Sequence, residues 1–587
     1  MNARDRLRAF GEVNIVDTEY MAPRGENPLP ICVCAQELFS GKKHTVWFDE
    51  PPYPPCPYDL SENSLFVSYN ASAEESVHIA LGWPQPANTL DLLAEFRHLM
   101  NNVTYEGKRS LVAAAEHYGL PNADQAYKDR MTARCIQGPP FTPSEKHDIL
   151  KYCHSDVTLT TALLNLLIDK DQIFFNDDEV NFALFRGEYT SALAHVEYHG
   201  IPLDKDLITR FKANWDDLFH LFIDKVNPAY NVYEKYRLRK WKFLEYVMKE
   251  GIPWEIREKS GLPRMDDDYM KEKAIVYPQL QELRQTMILQ NKLKIRDLPM
   301  DKNGYNRTHS MPFRAKTGRN QPKASENIFG ASAMFRNNIR AHEEGYAFAA
   351  LDFAQEEYRI AGVLSGDLDM QQAYEEGDYY INLAIAVGAA PPGATKQSHP
   401  LIREEFKQLA LAVNYGQSPQ GFAKRAGIPE IYAEHLFKQI KNRFPVYWHW
   451  IEQVTDKGFL ELKISTCLGW RLQTAHEKWN TVMNFTMQGH GSEILHLCVC
   501  NLVRAGLPVC GTLHDAVFLE DTIENIETTV QKASEIMIDA SKQILCGHAI
   551  RVDTKIFPYP EHYYDARSAG WDKLIAALEE VERAKVK

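Results

Sequence analysis

The stretch YAFAALDFAQEEYR, Tyr346 to Arg359, constrains the fold of this chain more than any other. Its apolar run from Tyr346 to Leu351 reads as a buried strand that delivers a carboxylate, Asp352, to its end. A strand that stops at an acid, with Glu357 and Arg359 following, holds an anionic metal ligand at the rim of a sheet. A second stretch repeats the device. LPVCGTL, Leu507 to Leu513, is apolar, His514-Asp515 makes a corner, and AVFL, Ala516 to Leu519, returns as an apolar strand, so an aspartate sits at a hairpin tip. Between the two lies REEFKQLALAVNYG, in which Arg403, Lys407, Leu411 and Tyr415 recur every four residues and share one slowly drifting helix face. Two aspartates ready for metal, with a basic helix between them in the chain, point to phosphate chemistry.

Length and composition bound the alternatives. A chain of 587 residues is too long for one core, and about three to five domains are expected. A net charge of −13 excludes a uniformly basic, histone-like DNA binder but leaves room for a basic cleft. The ten cysteines contain no C-x2-C pair, and Cys498-Val-Cys500 falls in an apolar helical pattern, so reduced buried thiols are expected rather than a zinc site. That fits a reducing cytoplasm. The opening MNARDRLRAFGE has no apolar core of a signal peptide, and no uninterrupted apolar stretch is long enough to span a membrane, so a soluble, unexported protein is expected. No repeat of fixed period is present.

Near the N-terminus, Val13 to Val16 reads as a strand running into Asp17-Thr18-Glu19, and strand alternation puts Asp17 and Glu19 on one face, where they would bridge a divalent cation. A solvated pair of loop acids is the alternative. Tyr152 and Asp156 lie four apart on a helix face. From Glu188, EYTSALAHVEYHGIPLD reads as a helix closed by Gly200 and an extended exit. Residues 205 to 295 read as helical, including the basic, aromatic run YEKYRLRKWKFLEYVMKE, with breaks at Gly251, Pro253, Gly261 and Pro263. Taken alone, that run is a solvated amphipathic helix. Thr317 to Gly330 is a polar loop, helices follow from Asp367 to Arg443, and Asn484 and Gln488 lie four apart on a later helix.

In order and content, the three central stretches resemble motifs A, B and C of the family A (DNA polymerase I-like) DNA polymerases. The family's D-Y-S-Q-I-E-L-R reads here as Asp352-Phe353-Ala354-Gln355-Glu356-Glu357-Tyr358-Arg359. Its R-x3-K-x7-Y-G reads as Arg403, Lys407, Tyr415 and Gly416, and its H-D-E as His514-Asp515-Ala516. D-x-E followed by Y-x3-D is similar to the DEDDy class of 3′–5′ exonucleases, and the acid of that class in N-x3-D is matched by Glu74, four after Asn70, a glutamate in place of aspartate.

The resemblance implies a mixed α/β chain with an RNase H-like exonuclease domain over residues 1–187. A right-hand polymerase follows, with a thumb over 188–300, palm over 301–365 and 476–587, and fingers over 366–475. It implies template-directed DNA synthesis from dNTPs by two-metal nucleotidyl transfer, with two Mg2+ per active site and Mn2+ able to substitute. Asp352 and Asp515 would hold the polymerase metals without the family's third acid, which is Ala516 here. Lys407 and Arg403 would neutralise the triphosphate, Tyr415 would face the template-side base, and Glu357 would exclude a ribose 2′-hydroxyl. Leu411 stands where the family has Phe or Tyr, and Tyr380 where a histidine touches the triphosphate. Arg319 and Asn327, kept from the family's T-G-R…Q-N-I-P segment, would meet DNA together with Arg359, His514, Asn484 and Gln488. The last two would read minor-groove acceptors common to all correct pairs. Asn480 stands where the family has an arginine.

In the exonuclease, Asp17, Glu19 and Asp156 would bind metal, Glu74 would join the catalytic set, and Tyr152 would orient the attacking water. Excision is expected to be attenuated, because a displacement of about an ångström can cost about a hundredfold. The partners implied are primer–template DNA, dNTPs and replication accessory proteins, with no membrane and a monomeric enzyme. No room precedes Asp17 for a 5′ nuclease domain, which suits a phage replicative enzyme in its host's cytoplasm, and the altered nucleotide pocket suits a modified base. Two rivals stay open. A single-subunit phage RNA polymerase shares the two aspartates, the lysine and the tyrosine-glycine, and is opposed by Glu357 and the exonuclease-like set. A DNA-binding scaffold with decayed sites is opposed by the retention of Asp352, Asp515, Lys407 and Arg403.

Overall fold

In the computed structural model, the acid-bearing N-terminal run is the central strand of a five-stranded sheet. β1 (Glu12–Met21) lies between β2 (Leu29–Glu37) and β4 (Ser64–Ser68), with β3 (Lys43–Trp47) outside β2 and β5 (Thr89–Asp91) outside β4. β1, β2 and β3 pair antiparallel, whereas β4 and β5 run parallel to β1. Every residue of β4 is buried, as a parallel strand covered on both faces requires. The sheet is thus mixed, with one antiparallel and one parallel flank around β1.

Among the helices that cover this sheet are α1 (Ala71–Leu81), α2 (Gln125–Gln137), α3 (Pro143–Asp169) and α4 (Asp177–His199). α3 begins at a capping box in which Thr142 and Glu145 satisfy each other's backbone N–H, with Pro143 at the first helical position. α4 approaches β5 at Gly187, where a Cβ would fall 1.9 Å from the Thr89 carbonyl oxygen, so that only glycine permits the packing. α4 runs unbroken through residue 187, the boundary expected from the sequence, and ends before Gly200 (φ 79°).

The acid-tipped strand of the first motif is β6 (Tyr346–Phe353), followed by α5 (Glu356–Ser365), α6 (Tyr379–Ala386) and α7 (Pro400–Asn414). A small hairpin, β7 (Lys463–Ser465) and β8 (Arg471–Gln473), precedes the long helix α8 (Trp479–Arg504). Strands β9 (Val509–Leu513) and β10 (Ala516–Thr522), helix α9 (Ile526–Ile544) and strand β11 (Val552–Pro558) complete the region, and the sheet order is β9-β10-β6-β11.

All residues are described except 104–107, 122–124, 259, 293, 331–332, 566–569 and 587. The chain divides into two units. The first comprises Met1–His199, Ser310–Gln321 and Ala349–Ile556, and the second Gly200–His309, Pro322–Phe348 and Phe557–Lys587. Within the second unit the basic aromatic run departs from the continuous helix expected. Asn231 (φ 52°) stops one helix, Lys235 and Tyr236 (φ 48° and 58°) turn a two-residue hairpin, and a helix resumes only over Lys240–Lys249. Burial of Tyr233 with Phe243 and Val247 in one apolar cluster, and stacking of Tyr236 on His220 at 3.6 Å, override local helix propensity there. All ten cysteines are free, and Cys467 and Cys546 are exposed rather than buried. Among the described residues, no helix is long and apolar enough to cross a membrane.

Candidate active sites

β6 carries Asp352 to its end, and Gln355, in the left-handed region (φ 56°), turns the chain into α5. The β9–β10 hairpin closes on only His514 and Asp515, with Leu513 opposite Ala516 and His514 left-handed (φ 55°). Because β10 lies beside β6, the two motifs are joined through the backbone: the Phe353 N–H donates to the Asp515 carbonyl oxygen at 3.0 Å. Their carboxyl groups lie close enough for the Asp515 charge to act on Asp352. Desolvation in the cleft, then the Asp515 and Asp553 charges, push Asp352 up to about 7, while Lys407 pulls the other way. Two carboxyl groups whose mutual repulsion raises Asp352 suit a shared cation.

These acids open on a cleft of about 750 Å³. α7 presents Arg403, Lys407 and Leu411 to it, and Tyr415 follows at the helix end. Arg403 Nε donates to Asp378 Oδ2 at 2.8 Å, and its guanidinium lies 5.5 Å from the Tyr380 ring centre. Asp378 also approaches the start of α6 closely enough to cap it through the Ile381 N–H. Arg319 Nη2 donates to Glu357 Oε1 at 3.3 Å. Burial first, and the nearby Glu357 charge after it, push the Tyr415 phenol up. Asn484 Nδ2 donates to the Tyr415 carbonyl oxygen at 3.4 Å. Arg319, Glu357 and Tyr415, drawn from three separate stretches, thus meet at one side of the cleft.

A second acid cluster lies on the N-terminal sheet. Asp17 and Glu19 come from β1, Glu74 from the first turn of α1, and Tyr152 and Asp156 from successive turns of α3. Loss of solvation, then the charges of Asp156, Glu19 and Glu74, hold Asp17 well above the carboxylate range. Burial first, and the neighbouring acids after it, push Glu19 and Glu74 up to about 8 each. Asp17 Oδ2 and Glu74 Oε2 are buried with no hydrogen-bond partner. One carboxylate oxygen each from Asp17 and Glu19 and the Cys153 sulfur lie within 4.8 Å of one another. Orphaned buried oxygens among mutually repelling acids fit a divalent cation, since burying such groups unpaired is otherwise costly.

Of the residues expected in the first cleft, Asp352, Asp515, Lys407, Arg403, Leu411, Tyr415, Glu357, Tyr380, Arg319 and His514 line it. Arg359 does not. It is 5% exposed, donates from Nε to the Ala549 carbonyl oxygen at 3.1 Å, and pairs with Glu375 at 2.7 Å, because its place on α5 turns it into the packing beneath the sheet end. Asn327 belongs to the second unit, where its Oδ1 accepts the Phe329 N–H at 2.8 Å.

Three residues escaped the sequence analysis. Glu356 lines the cleft, buried, with Oε1 unpartnered and Oε2 where a Cβ on Gly491 would come within 2.6 Å. Its signal was present, since an acid stands where the motif has isoleucine. Asp553 lines the cleft from β11, a neighbour of β6 that no sequence pattern reveals. Lys128, on α2, forms a short ion pair with Asp156, and only the folded placement of α2 brings it there.

Comparison with known proteins bears on the first of these sites. Residues 249–556, just over half of the chain, match the model of the family described as DNA polymerase family A. The chain is 26% identical over 212 residues to the thermostable DNA polymerase I of Thermus aquaticus, covering 33% of this chain and 25% of that protein. It is 23% identical over 397 residues to DNA polymerase I of Chloroflexus aurantiacus, covering 62% and 41%. It is 21% identical over 211 residues to a DNA polymerase of Mycobacterium phage D29, covering 35% and 34%. The chain therefore spans about a quarter to two fifths of the length of these curated relatives. Among solved structures, it is similar to the POL domain of Pol1 from M. smegmatis, in complex with DNA primer-template and dNTP. The TM-score is 0.69 at 16% identity, over 92% of this chain and 94% of that one. At that identity, the likeness shows a common fold.

Proposed function

The chain belongs to DNA polymerase family A, and on that premise we propose that the Asp352–Asp515 cleft extends a primer with dNTPs under the direction of a template. The observation that carries the proposal is the meeting of these two carboxyl groups across adjacent strands, facing a helix that offers Lys407 and Arg403 to the same space. Asp352 and Asp515 are the residues that would hold divalent cations, Mg2+ in our reading with Mn2+ able to substitute. When bound, such ions lower the pKa of the primer 3′-hydroxyl and neutralise charge on the leaving pyrophosphate.

The chain's own residues position the nucleotide. Lys407 meets the triphosphate, and Arg403 does so by exchanging Asp378 for a phosphate oxygen, with Tyr380 beside it. Glu357, held by Arg319 beside Tyr415, occupies the space a ribose 2′-hydroxyl would need. Leu411 and Tyr415 bound the base, and Arg319, His514, Asn484 and Gln488 face the primer–template. Residues 188–300 act as thumb, 301–365 and 476–587 as palm, and 366–475 as fingers.

The N-terminal cluster, over residues 1–187, is proposed to excise mismatched 3′ ends. Asp17, Glu19 and Asp156 would hold metal there, Tyr152 would orient water, and the longer Glu74 would slow the reaction. The match to a phage DNA polymerase supports a role in phage genome replication as a monomer working with accessory proteins. Leu411 and Tyr380 in the nucleotide pocket support acceptance of a modified purine.

Extension of a primed DNA template with dNTPs and with rNTPs tests the reading against a single-subunit RNA polymerase. Deoxynucleotides are expected to be favoured by about a hundredfold or more. Preference for ribonucleotides would overturn it.

A further inference from the structure

Building on the excision reading of the N-terminal cluster, we infer that Lys128 is a resident cation of that site, holding the Asp156 side with its ammonium group and competing there with a divalent ion. Lys128 is 7% exposed; its Nζ donates to Asp156 Oδ1 and lies 5.8 Å from the centre of the Tyr152 ring. The oxygens left without partners, Asp17 Oδ2 and Glu74 Oε2, belong to other acids of the cluster. The site is thus divided. Asp156 is compensated by a covalently tethered positive charge, whereas Asp17 and Glu74 are not.

A buried ion pair resists separation, because removing either partner strands the other charge away from water. A cation bridging Asp17 and Glu19 leaves the pair intact, but one that takes Asp156 must displace the ammonium. The two positions are therefore unequal. In the absence of DNA one divalent ion binds, at Asp17 and Glu19. The second position opens only when Lys128 leaves Asp156, and a phosphodiester at the site would offer the ammonium a new anionic partner. Lys128 is a positioning residue that ties completion of the site to the arrival of a DNA end.

Mn2+ binding by the full-length chain without DNA, followed by electron paramagnetic resonance in an Asp515→Asn background, tests this independently of catalysis. The parent is expected to bind one ion at the cluster. Lys128→Met is expected to bind a second, with affinity at that position raised by about tenfold to a hundredfold, and Lys128→Arg to return to one. Should Lys128→Met fail to fold, Lys128→Gln, which keeps a donor without the charge, serves in its place. Equal stoichiometry and affinity in the parent and the neutral variant would overturn the role of Lys128. Binding that survives Asp17→Ala unchanged in both would instead overturn the cluster as a metal site, and with it the excision reading.

Discussion

Glu19 and Glu74 hold their protons up to about pH 8 in the folded chain, against about 4.3 for an unfolded glutamate. Raised carboxyl pKa values mean that the folded state binds more protons than the unfolded one throughout this window. The stability these groups allow is complete below the unfolded value and is lost as pH rises towards 8. Metal-free protein should therefore melt at progressively lower temperature from pH 5 to pH 8. Glu74→Gln, neutral at every pH, should flatten part of that slope, and Mn2+ should restore stability at pH 8. Thermal unfolding with and without chelator reads this directly, and identical slopes in parent and Glu74→Gln would count against it.

A second prediction at the same scale concerns Glu357, whose carboxylate is held by Arg319. Glu357→Ala should raise the ratio of ribonucleotide to deoxynucleotide incorporation by about a hundredfold, measured by single-nucleotide extension. The meeting of Asp352 and Asp515 in one cleft was legible because each ends an apolar strand. Lys128 and Asp553 were not, since their roles depend on which helix or strand lies beside them. Arg359 was misread because a motif fixes a residue's position, not the direction of its side chain.

Among the elements, α4 is exposed to a single change. Its Arg186 is fully buried and bonded twice to Glu95, at 2.6 and 2.9 Å, on the facing helix Leu92–Leu99. Glu95→Ala would leave a buried guanidinium without its counter-ion and should cost about 3–5 kcal/mol in denaturant unfolding of this unit. Replacing both residues with apolar ones of similar size should recover most of the loss. Loss below about 1 kcal/mol for the single variant would show that water or another acid compensates Arg186.

Elements with a strong period were legible: α7 from its four-residue recurrence, and the β9–β10 hairpin from two apolar runs around a polar corner. The run around Tyr233–Leu238 was not, because its hairpin is held by tertiary burial of Tyr233 rather than by local sequence.

Across the whole molecule, the division into two units was not legible. The chain passes between units five times, at His199, His309, Gln321, Phe348 and Ile556, and no composition shift marks these passages. A net charge of −13 coexists with a cleft bearing Arg319, Arg403, Lys407 and Arg551. Binding of primed duplex should accordingly weaken steeply with added salt, as local phosphate contacts rather than overall charge would carry it. The most direct test of the cleft as a polymerase centre is single-turnover addition of one template-complementary dNTP, with duplex affinity measured alongside, in the parent and in Asp515→Asn. The parent should add the nucleotide, and the variant should be slower by about a thousandfold while binding the duplex with nearly unchanged affinity. Addition by Asp515→Asn at the parent's rate would contradict the assignment of the two aspartates.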